Sequence, residues 1–305
     1  MTDEQHSATG KTSRVALITC AELADLEADD QRVLAPLAAR GIRAEPVVWD
    51  APGVDWTGYD LAVLRSPWDY VPRRDEFVAW AATVPVLANP ADIVDWNTDK
   101  RYLAELAAAG APTVPTTWVE PDARWTPPMV GEWVVKPAIS AGSQDTGRYD
   151  LADPDQRHLA ADHVGRLQAA GRLTMVQPYL AAVDSAGETA LLFFADSDGL
   201  RFSHAIRKGA MLTGPDLGVN GLYKPETIAA RTPTDAELAV AGKALAAVPD
   251  GVARLLYARV DLIPGSDGGP LLVELELTEP SLFLGLAEGA ADRFAAAIAA
   301  RLSIR

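Results

Sequence analysis

Short apolar runs alternate with polar segments of helical spacing along the first third of the chain. The runs predicted to be strands are Val15 to Thr19, Ile42 to Trp49, Leu61 to Leu64 and Val84 to Leu87, and the predicted helices are Asp30 to Arg40 and Arg73 to Ala82. Strands that alternate with helices in this way are typical of a parallel sheet. The pattern therefore predicts a small α/β domain at the N-terminal end.

The rest of the chain combines helices with strands that alternate polar and apolar positions. Asn97 or Thr98 is predicted to cap a helix from Asp99 to Ala109, which Gly110 ends. The further predicted strands are Trp133 to Pro137, Leu173 to Gln177, Thr189 to Phe194, Arg201 to Arg207, Arg254 to Ile263 and Leu271 to Leu277. The further predicted helices are Pro154 to Ala170, Ala287 to Arg301, and Asp235 to Ala247 with a capping box of Thr234 and Glu237. This mixture predicts an α+β region after the α/β domain.

The last two predicted strands form a hairpin that carries charged side chains. Because side chains alternate faces along a strand, Arg259 and Asp261 share one face, and Glu274 and Glu276 share one face of the partner strand. If the register matches, three carboxylates and one guanidinium meet on a single patch, and an all-oxygen set of ligands suits Mg²⁺. A sheet whose polar face is merely solvated explains the same alternation equally well.

Lys136 interrupts an apolar strand, and a loop of small and hydroxyl residues follows it from Ser140 to Gly147. A lysine beside flexible backbone N–H groups suits a polyphosphate. The alternative is a lysine that protects the edge of a sheet from aggregation. Lys100, on the predicted capped helix, is by the same reasoning an ordinary solvated helix charge.

The third predicted strand is followed by a loop that is a candidate substrate site. Loops at the carboxyl ends of parallel strands usually hold the ligands of α/β domains. The candidate substrate residues are therefore Arg65, Ser66, Trp68, Asp69 and Tyr70. Packing of Trp68 and Tyr70 against the next helix is the alternative interpretation.

Composition narrows the class of protein. The chain has 305 residues, 49% of them hydrophobic, and a formal net charge of -15 that is spread along its length. Such an acidic chain is not expected to wrap nucleic acid or to dock on an anionic membrane. Cys20 is the single cysteine, so no internal disulfide is expected, and neither a signal sequence nor a membrane-spanning run stands out. We therefore expect a cytoplasmic enzyme that acts on small molecules, with a homodimer left open.

Five motifs occur in an order that resembles the ATP-grasp superfamily. They are Asn97 to Lys100, Val134 to Pro137 with the loop after it, Val176 to Leu180, Gly187-Glu188, and Ala258 to Asp261 with Glu274 to Glu276. The resemblance covers nearly the whole chain and points to the branch of glutathione-synthetase-like and ribosomal-protein-modifying ligases. Within that branch, the segment Glu274 to Leu284 resembles the cycloserine-forming enzymes.

The resemblance implies an ATP-grasp fold with an N-terminal parallel-sheet domain, a central small domain and a C-terminal antiparallel-sheet domain. The expected boundaries are a disordered tail over residues 1–12, a substrate-side domain over 13–98, a central subdomain over 99–181, and a C-terminal subdomain with the metal site over 182–305.

The implied activity is that of an ATP-dependent carboxylate–amine ligase acting on an amino acid or a similar small carboxylate. It would proceed through an acyl phosphate and release ADP and phosphate. An intramolecular cyclase that uses the same chemistry and a non-catalytic ATP-binding module are the alternatives. A Rossmann-type dehydrogenase is disfavoured, because the chain lacks the G-x-G-x-x-G fingerprint.

The resemblance also implies which residues would bind ATP. Lys100 and Lys136 would contact the phosphates, and Ser140, Gly142 and Ser143 would belong to a mobile flap over them. The residues that would hold the adenosine are Gln177, Pro178, Tyr179 and Leu180 at the adenine edge and Glu188 at the ribose hydroxyls.

The metal and substrate groups follow from the same resemblance. Asp261, Glu274 and Glu276 would hold one or two Mg²⁺ ions, and Arg259 would steady the transferred phosphoryl group or the acyl intermediate. Many relatives have Asn where this chain has Glu276, which leaves the number of ions open. The other residues expected near the phosphates and the substrate are His204, Arg207 and Lys208, with Tyr223 and Lys224 as weaker candidates.

Overall fold

The computed structural model describes residues 12–197, 199–210, 212, 214–216 and 227–303. Of the predicted tail, only Thr12 lies in this part of the chain, and Tyr223 and Lys224 lie outside the described residues. The described residues form one parallel and two antiparallel sheets with helices packed against them, which confirms the predicted mixture of α/β and α+β structure.

A parallel sheet of four strands comes first. Its elements are, in order, β1 (Arg14–Thr19), α1 (Leu34–Ala39), β2 (Arg43–Val48), β3 (Leu61–Ser66), α2 (Arg74–Thr83), β4 (Leu87–Ala88) and α3 (Ala91–Asn97). The strands lie in the order β2-β1-β3-β4. Phe77 of α2 and Val94 of α3 cover one face of this sheet, while Leu37 of α1 packs on the other.

An antiparallel sheet of four strands follows. Its elements are α4 (Tyr102–Ala108), β5 (Thr117–Val119), β6 (Glu132–Pro137), β7 (Gly147–Asp150), α5 (Pro154–Ala169) and β8 (Thr174–Pro178). The strands lie in the order β5-β8-β6-β7, and α5 buries Val164 and Leu167 against them. The strands β5 and β7 were not predicted, because three and four residues are too short to show a clear period.

The third sheet has five antiparallel strands. Its elements are α6 (Val183–Ala186), β9 (Glu188–Asp196), β10 (Gly199–Lys208), β11 (Ile228–Arg231), α7 (Asp235–Ala246), β12 (Tyr257–Pro264), β13 (Pro270–Glu276) and α8 (Ala290–Ser303). The order is β11-β10-β9-β12-β13, with α8 on one face and α7 on the other. The predicted capping box at the start of α7 is confirmed. Within the described ranges, no helix is long and apolar enough to cross a lipid bilayer.

The predicted helix cap at Asn97 or Thr98 is wrong. Asn97 is the last residue of α3, and a short turn separates it from α4, which begins at Tyr102. The side chain of Asn97 bonds to β13 instead. Its amide nitrogen donates to the Leu275 carbonyl (2.8 Å), and its oxygen accepts from the Leu277 N–H (2.7 Å). A side chain that could cap a helix in the sequence thus completes the edge of a distant sheet.

The outer edge of β13 is covered along its length by other segments. The Tyr102 hydroxyl accepts from the Leu275 N–H (2.9 Å), the Leu272 N–H donates to the Pro112 carbonyl (2.8 Å), and the Val114 N–H donates to the Leu272 carbonyl (3.1 Å). An edge strand without such partners is prone to fraying and to pairing with other chains. These contacts hold the strand that carries the predicted metal-binding glutamates.

Asn97→Ala is expected to destabilise the fold. The change leaves the Leu277 N–H and the Leu275 carbonyl buried without their partner, which lowers the free energy of unfolding by about 2 kcal/mol or more. Urea unfolding monitored by circular dichroism measures the effect. The control is Asp95→Ala on the same helix, where an exposed ion pair with Arg74 is lost and the cost stays below about 1 kcal/mol. Equal losses in the two variants would contradict the role given to Asn97.

Candidate active site

A cavity of about 600 Å³ takes residues from all three sheets or from the loops that follow them. Trp68 and Tyr70 come from the loop after β3, Lys136 from β6 and Arg259 from β12. A volume of this size is typical of sites for small molecules and cofactors. The size of the cavity and its place between the three sheets therefore indicate a ligand site that all three sheets share.

The charged hairpin has the register that the sequence analysis required. Arg259 lies opposite Glu276 and Asp261 lies opposite Glu274, so the four side chains share one face. The register shifts between Asp261 and Leu262, which leaves one extra residue, Val273, on β13. This bulge places leucines on the opposite face before and after it, where they join the core under α7.

The face that carries these charges changes character along the sheet. At one end Leu192, Phe194 and Ile206 pack against Phe294 of α8. Towards the other end the same face carries Glu188 on β9, Lys208 on β10 and Asp261 on β12, and these residues are half-buried or buried. The apolar end anchors the sheet, and the charged end forms a wall of the cavity.

Two cations neutralise Asp261, which is 1% exposed and lies behind the cavity wall. The Arg259 guanidinium donates to both Asp261 oxygens (2.9 Å for each closest contact), and the Lys208 Nζ donates to Oδ2 (2.8 Å). Arg259 also contacts Glu276, and Lys208 also contacts Glu188. One buried carboxylate is therefore linked to two carboxylates that face the cavity.

Lys100 and Lys136 are the two lysines that act on Glu274. The Lys100 Nζ forms an ion pair with Glu274 (3.0 Å) and donates to the Ser140 carbonyl (2.6 Å). Lys136 is 8% exposed, and burial lowers the pKa of its ammonium, helped by the charge of Lys100 and opposed by Glu274. The two ammonium groups repel each other, and the carboxylate of Glu274 offsets part of that repulsion.

The loop predicted to be a flap begins at Ser140, the residue that Lys100 contacts. Ser140, Gly142, Ser143 and Thr146 line the cavity. The backbone passes through positive φ at Gly142 (59°) and Ser143 (56°), which gives the tight turn over the lysines. Farther along, Asp145 forms an ion pair with Arg166 of α5 (2.9 Å) that ties the loop to its own sheet.

The segment predicted to hold adenine lies at the end of β8 and lines the cavity from Gln177 to Leu180. Its backbone is partly occupied: the Tyr179 N–H donates to the Glu132 carbonyl (2.8 Å), and the Leu180 carbonyl accepts from the Val183 N–H (3.0 Å). The side chain of Gln177 donates to Thr116 (2.8 Å). The apolar residues that line the cavity include Val134, Val183, Leu212, Ile228, Ile263 and Val273.

Nearby cations keep two of the carboxyls ionised. Burial acts to raise the pKa of Asp261, but Arg259 and Lys208 outweigh it and hold that pKa well below its usual range. Burial acts in the same direction on Glu274, and there Lys100 together with its neighbouring lysine lowers the pKa. These two carboxylates are anions at neutral pH.

Three other carboxyls have raised pKa values. Burial is the main cause for Glu276, with repulsion from Glu274 adding to it, and its pKa rises to about 8 although Arg259 opposes the change. Burial also raises the pKa of Glu188 to about 7 and that of Glu279 to about 7. In the described part of the chain, the cavity wall has more carboxyl groups than cationic groups. At neutral pH the carboxyls with raised pKa values therefore keep part of their protons, and a bound cation would favour their ionised forms.

The carboxylates have the chemistry of Mg²⁺ ligands but do not form a closed cage. Among the described residues, no group of three or more His, Cys, Asp or Glu side chains converges on one point. Glu274 and Glu276 face the cavity, whereas Asp261 lies behind it with its oxygens bonded to cations. Mg²⁺ is commonly held by one or two carboxylates plus phosphate oxygens and water. Two carboxyl groups that face the cavity and can ionise when a cation binds fit that mode of binding.

Three candidate substrate residues, two at the end of β3 and one in the loop after it, lie outside the cavity wall. Arg65 is fully buried, where it pairs with Asp30 (3.0 Å). The Ser66 hydroxyl is hydrogen-bonded to that of Thr19 (3.0 Å). Asp69 accepts from the Trp49 indole (2.8 Å). The prediction that Arg65, Ser66 and Asp69 contact the substrate is therefore corrected: their side chains bond to other parts of the first domain. Trp68 and Tyr70 do line the cavity.

Two candidates on β10 also lie outside the cavity wall. Arg207 is exposed on the face opposite Lys208, because side chains alternate along the strand, and it donates to the Ser185 carbonyl. His204 is buried and bonds through Nε2 to the Leu282 carbonyl (2.9 Å). The predicted contacts of Arg207 and His204 with a ligand are thus corrected, and Lys208 is the member of the set that lines the cavity.

Several residues that follow β13 in the chain line the cavity, although no role for them was predicted from the sequence. Glu279, Ser281 and Phe283 belong to this group. The Ser281 carbonyl accepts from Arg259 (3.3 Å), and the Phe283 ring lies 5.6 Å from the guanidinium carbon of Arg259. These residues stood inside the motif that resembled the cycloserine-forming enzymes, which was the available signal.

Known proteins resemble this chain over almost its full length. A family model described as the N-terminal domain of D-cycloserine synthetase DcsG matches residues 15–90. The cycloserine biosynthesis protein DcsG of Streptomyces lavendulae is 41% identical over 308 residues, covering 94% of this chain and 98% of that protein. The crystal structure of D-cycloserine synthetase DcsG superposes with a TM-score of 0.82 at 39% identity, covering 95% of this chain and 100% of that one.

A more distant likeness shows the fold. The structure of ATP-grasp ligase PsnB complexed with minimal precursor, Mg and ADP has a TM-score of 0.58 at 19% identity, covering 97% of this chain and 99% of that one. The arrangement of three sheets is therefore that of the ATP-grasp fold, as the sequence motifs predicted.

The raised pKa of Glu276 predicts how stability depends on pH. Its pKa is about 8 in the folded chain against 4.5 ordinarily, so between those values the folded state keeps a proton that the unfolded chain has lost. Without nucleotide or Mg²⁺, the free energy of unfolding contributed by this group therefore falls as the pH rises from about 5 to about 8. Urea unfolding across this range measures the slope.

Glu276→Gln is expected to reduce that slope, because a neutral amide does not titrate. The control is Glu288→Gln, an exposed change that keeps the wild-type slope. If Glu276→Gln and the wild-type protein had the same pH dependence, the assignment of a raised pKa to Glu276 would be wrong.

Proposed function

The chain belongs to the DcsG family of ATP-grasp ligases, which form carbon–nitrogen bonds, and we propose that it phosphorylates the carboxylate of a small amino acid with ATP and Mg²⁺. The observation that carries this proposal is the cluster of Lys100, Lys136 and Glu274 in a cavity large enough for a nucleotide. Two buried lysines beside a loop of backbone N–H groups suit a polyphosphate.

The residues of the chain would act mainly by position and charge. Lys100 and Lys136 would hold the phosphates, and the loop from Ser140 would cover them. The Arg259 guanidinium would lie beside the carboxylate oxygen as it attacks the γ-phosphorus. Phosphoryl transfer relies on such neutralisation of charge and on alignment.

Glu274 and Glu276 would hold Mg²⁺, which would neutralise the negative charge on the phosphates. Both face the cavity and offer oxygen ligands. The structure of ATP-grasp ligase PsnB, which shares the fold, contains Mg and ADP, and this supports the use of a magnesium nucleotide. Binding of a cation would also relieve the repulsion that raises the pKa of Glu276.

The second half of the reaction would form the carbon–nitrogen bond. Attack of the carboxylate on ATP gives an acyl phosphate and ADP. A nitrogen nucleophile then attacks the carbonyl carbon, loses a proton, and expels phosphate. Water would hydrolyse the acyl phosphate, and the loop that begins at Ser140 would keep water away from it.

We further propose that the nucleophile belongs to the same molecule as the carboxylate. The support is the 41% identity to a cycloserine biosynthesis protein over 94% of this chain. In D-cycloserine the ring amide joins a carboxyl carbon to the aminooxy nitrogen of one amino acid. Opening that bond gives β-aminooxy-D-alanine, which is therefore the probe for a single-substrate cyclase.

The wild-type protein is expected to convert β-aminooxy-D-alanine to D-cycloserine, with one ADP released per ring and only when Mg²⁺ is present. A coupled assay for ADP and chromatography of the product measure the two outputs. Glu274→Gln is expected to lower turnover by about a thousandfold or more, because the site loses a charge that acts in the transition state.

The control for Glu274→Gln is Glu288→Gln, which keeps wild-type turnover. Thermal unfolding of both variants checks that the fold is intact. ADP release that requires a second amino acid as nucleophile would replace the cyclase with an intermolecular ligase. Full activity in Glu274→Gln would overturn the metal assignment.

A further inference from the structure

Glu279 occupies a part of the cavity wall that the chemistry proposed above does not use. Its carboxylate is hydrogen-bonded by the Tyr70 hydroxyl, and its backbone carbonyl accepts from the Trp68 indole (3.0 Å). All three residues line the cavity. The loop after β3 and the segment after β13 therefore meet at this carboxylate.

The Tyr70 side chain is fixed from behind. It is 2% exposed, and its ring stacks on Phe77 of α2 with centroids 4.7 Å apart. Two packed aromatic rings leave the hydroxyl little freedom. Through Tyr70, the core of the first sheet thus holds Glu279 in one position. A side chain that selects a ligand must be fixed in this way.

The cations nearest to Glu279 are committed elsewhere. Lys100 and Arg259 both act to lower the pKa of Glu279, but Lys100 pairs with Glu274, and Arg259 is bonded to Asp261. Among the described residues, no lysine, arginine or histidine forms an ion pair with Glu279. An ionised carboxylate has room for several donors, and the tyrosine supplies one.

We propose that Glu279, positioned by Tyr70, binds the α-ammonium group of the substrate amino acid. The proposal rests on the function proposed above and adds the element that selects the substrate. An ammonium group supplies both the positive charge and the hydrogen-bond donors that this carboxylate can accept. With the substrate carboxylate beside Arg259 and the ammonium beside Glu279, both charged ends of an amino acid have a partner.

The selectivity follows from what happens when the amino group is missing. A substrate without it leaves Glu279 desolvated and without a cation, and sites built to bind a polar group reject analogues that lack it. The enzyme would therefore prefer an α-amino acid to the matching carboxylic acid. Ligands that differ only in this group isolate the interaction.

The test compares β-aminooxy-D-alanine with 3-aminooxypropanoate, which differs from it only by the missing α-amino group. Glu279→Gln is expected to lower kcat/KM for the amino acid by about 100-fold, mostly through KM, because one partner of a charge pair is removed. Its effect on 3-aminooxypropanoate is expected to stay within about threefold. Tyr70→Phe is expected to show the same selective loss to a smaller extent.

Two controls separate this role from others. Glu288→Gln, an exposed change, is expected to leave both substrates unaffected. The Mg²⁺ concentration for half-maximal activity is expected to stay the same in Glu279→Gln, since the carboxylate is assigned to the substrate. Equal losses on the two substrates, or a shift in the Mg²⁺ requirement, would overturn the proposal.

Binding measurements keep this test independent of turnover. Calorimetry with a non-hydrolysable ATP analogue present is expected to show β-aminooxy-D-alanine binding more tightly than 3-aminooxypropanoate, with the difference lost in Glu279→Gln. If neither compound is turned over by the wild-type protein, the proposed function fails, and the binding difference alone decides on Glu279. Equal affinity of the wild-type protein for both would contradict the role of Glu279.

Discussion

Asp261 lies buried on β12 of the five-stranded sheet, and the two cations that neutralise it organise the charged wall of the cavity. Removing a carboxylate from water costs several kcal/mol unless well-placed partners offset it. Arg259 and Lys208 supply those partners, and each of them extends to a second carboxylate, Glu276 or Glu188, that faces the cavity. The charges that a ligand meets are thus fixed by Asp261, a carboxylate that does not itself line the cavity.

The placement of these charges depends on contacts that hold the sheet at its apolar end and along the outer edge of β13. Packing of Phe194 and Ile206 against α8 fixes the apolar part of the face. Along the outer edge of β13, Asn97 and Tyr102 complete the hydrogen bonds of the strand, so Glu274 and Glu276 project from a strand that cannot easily shift. Since a shift of one residue would turn every side chain to the other face, the contacts on this edge protect the chemistry as well as the fold.

Much of this organisation follows from the sequence because it rests on short-range periodicity. Alternation along β12 predicted that Arg259 and Asp261 share a face, and alternation along β13 predicted the same for Glu274 and Glu276, while the register that brings the two pairs together came from the structure. The order of the motifs indicated the fold. The rest depends on contacts between distant segments. Asn97 has the sequence context of a helix cap but bonds to β13, and the loop position of Arg65 suggested a substrate contact although it pairs with Asp30 in the core. Glu279 acquires its surroundings only when the loop carrying Tyr70 folds against it.

The central claim is that the chain activates a carboxylate by transferring the γ-phosphoryl group of ATP to it. The most direct measurement uses β-aminooxy-D-alanine with both carboxylate oxygens replaced by ¹⁸O and determines the isotope content of the released phosphate by mass spectrometry. An acyl phosphate predicts that each phosphate carries a single ¹⁸O atom, since the bridging oxygen leaves with phosphorus when nitrogen attacks the carbonyl carbon. Phosphate without the label, formed together with product, would contradict the account.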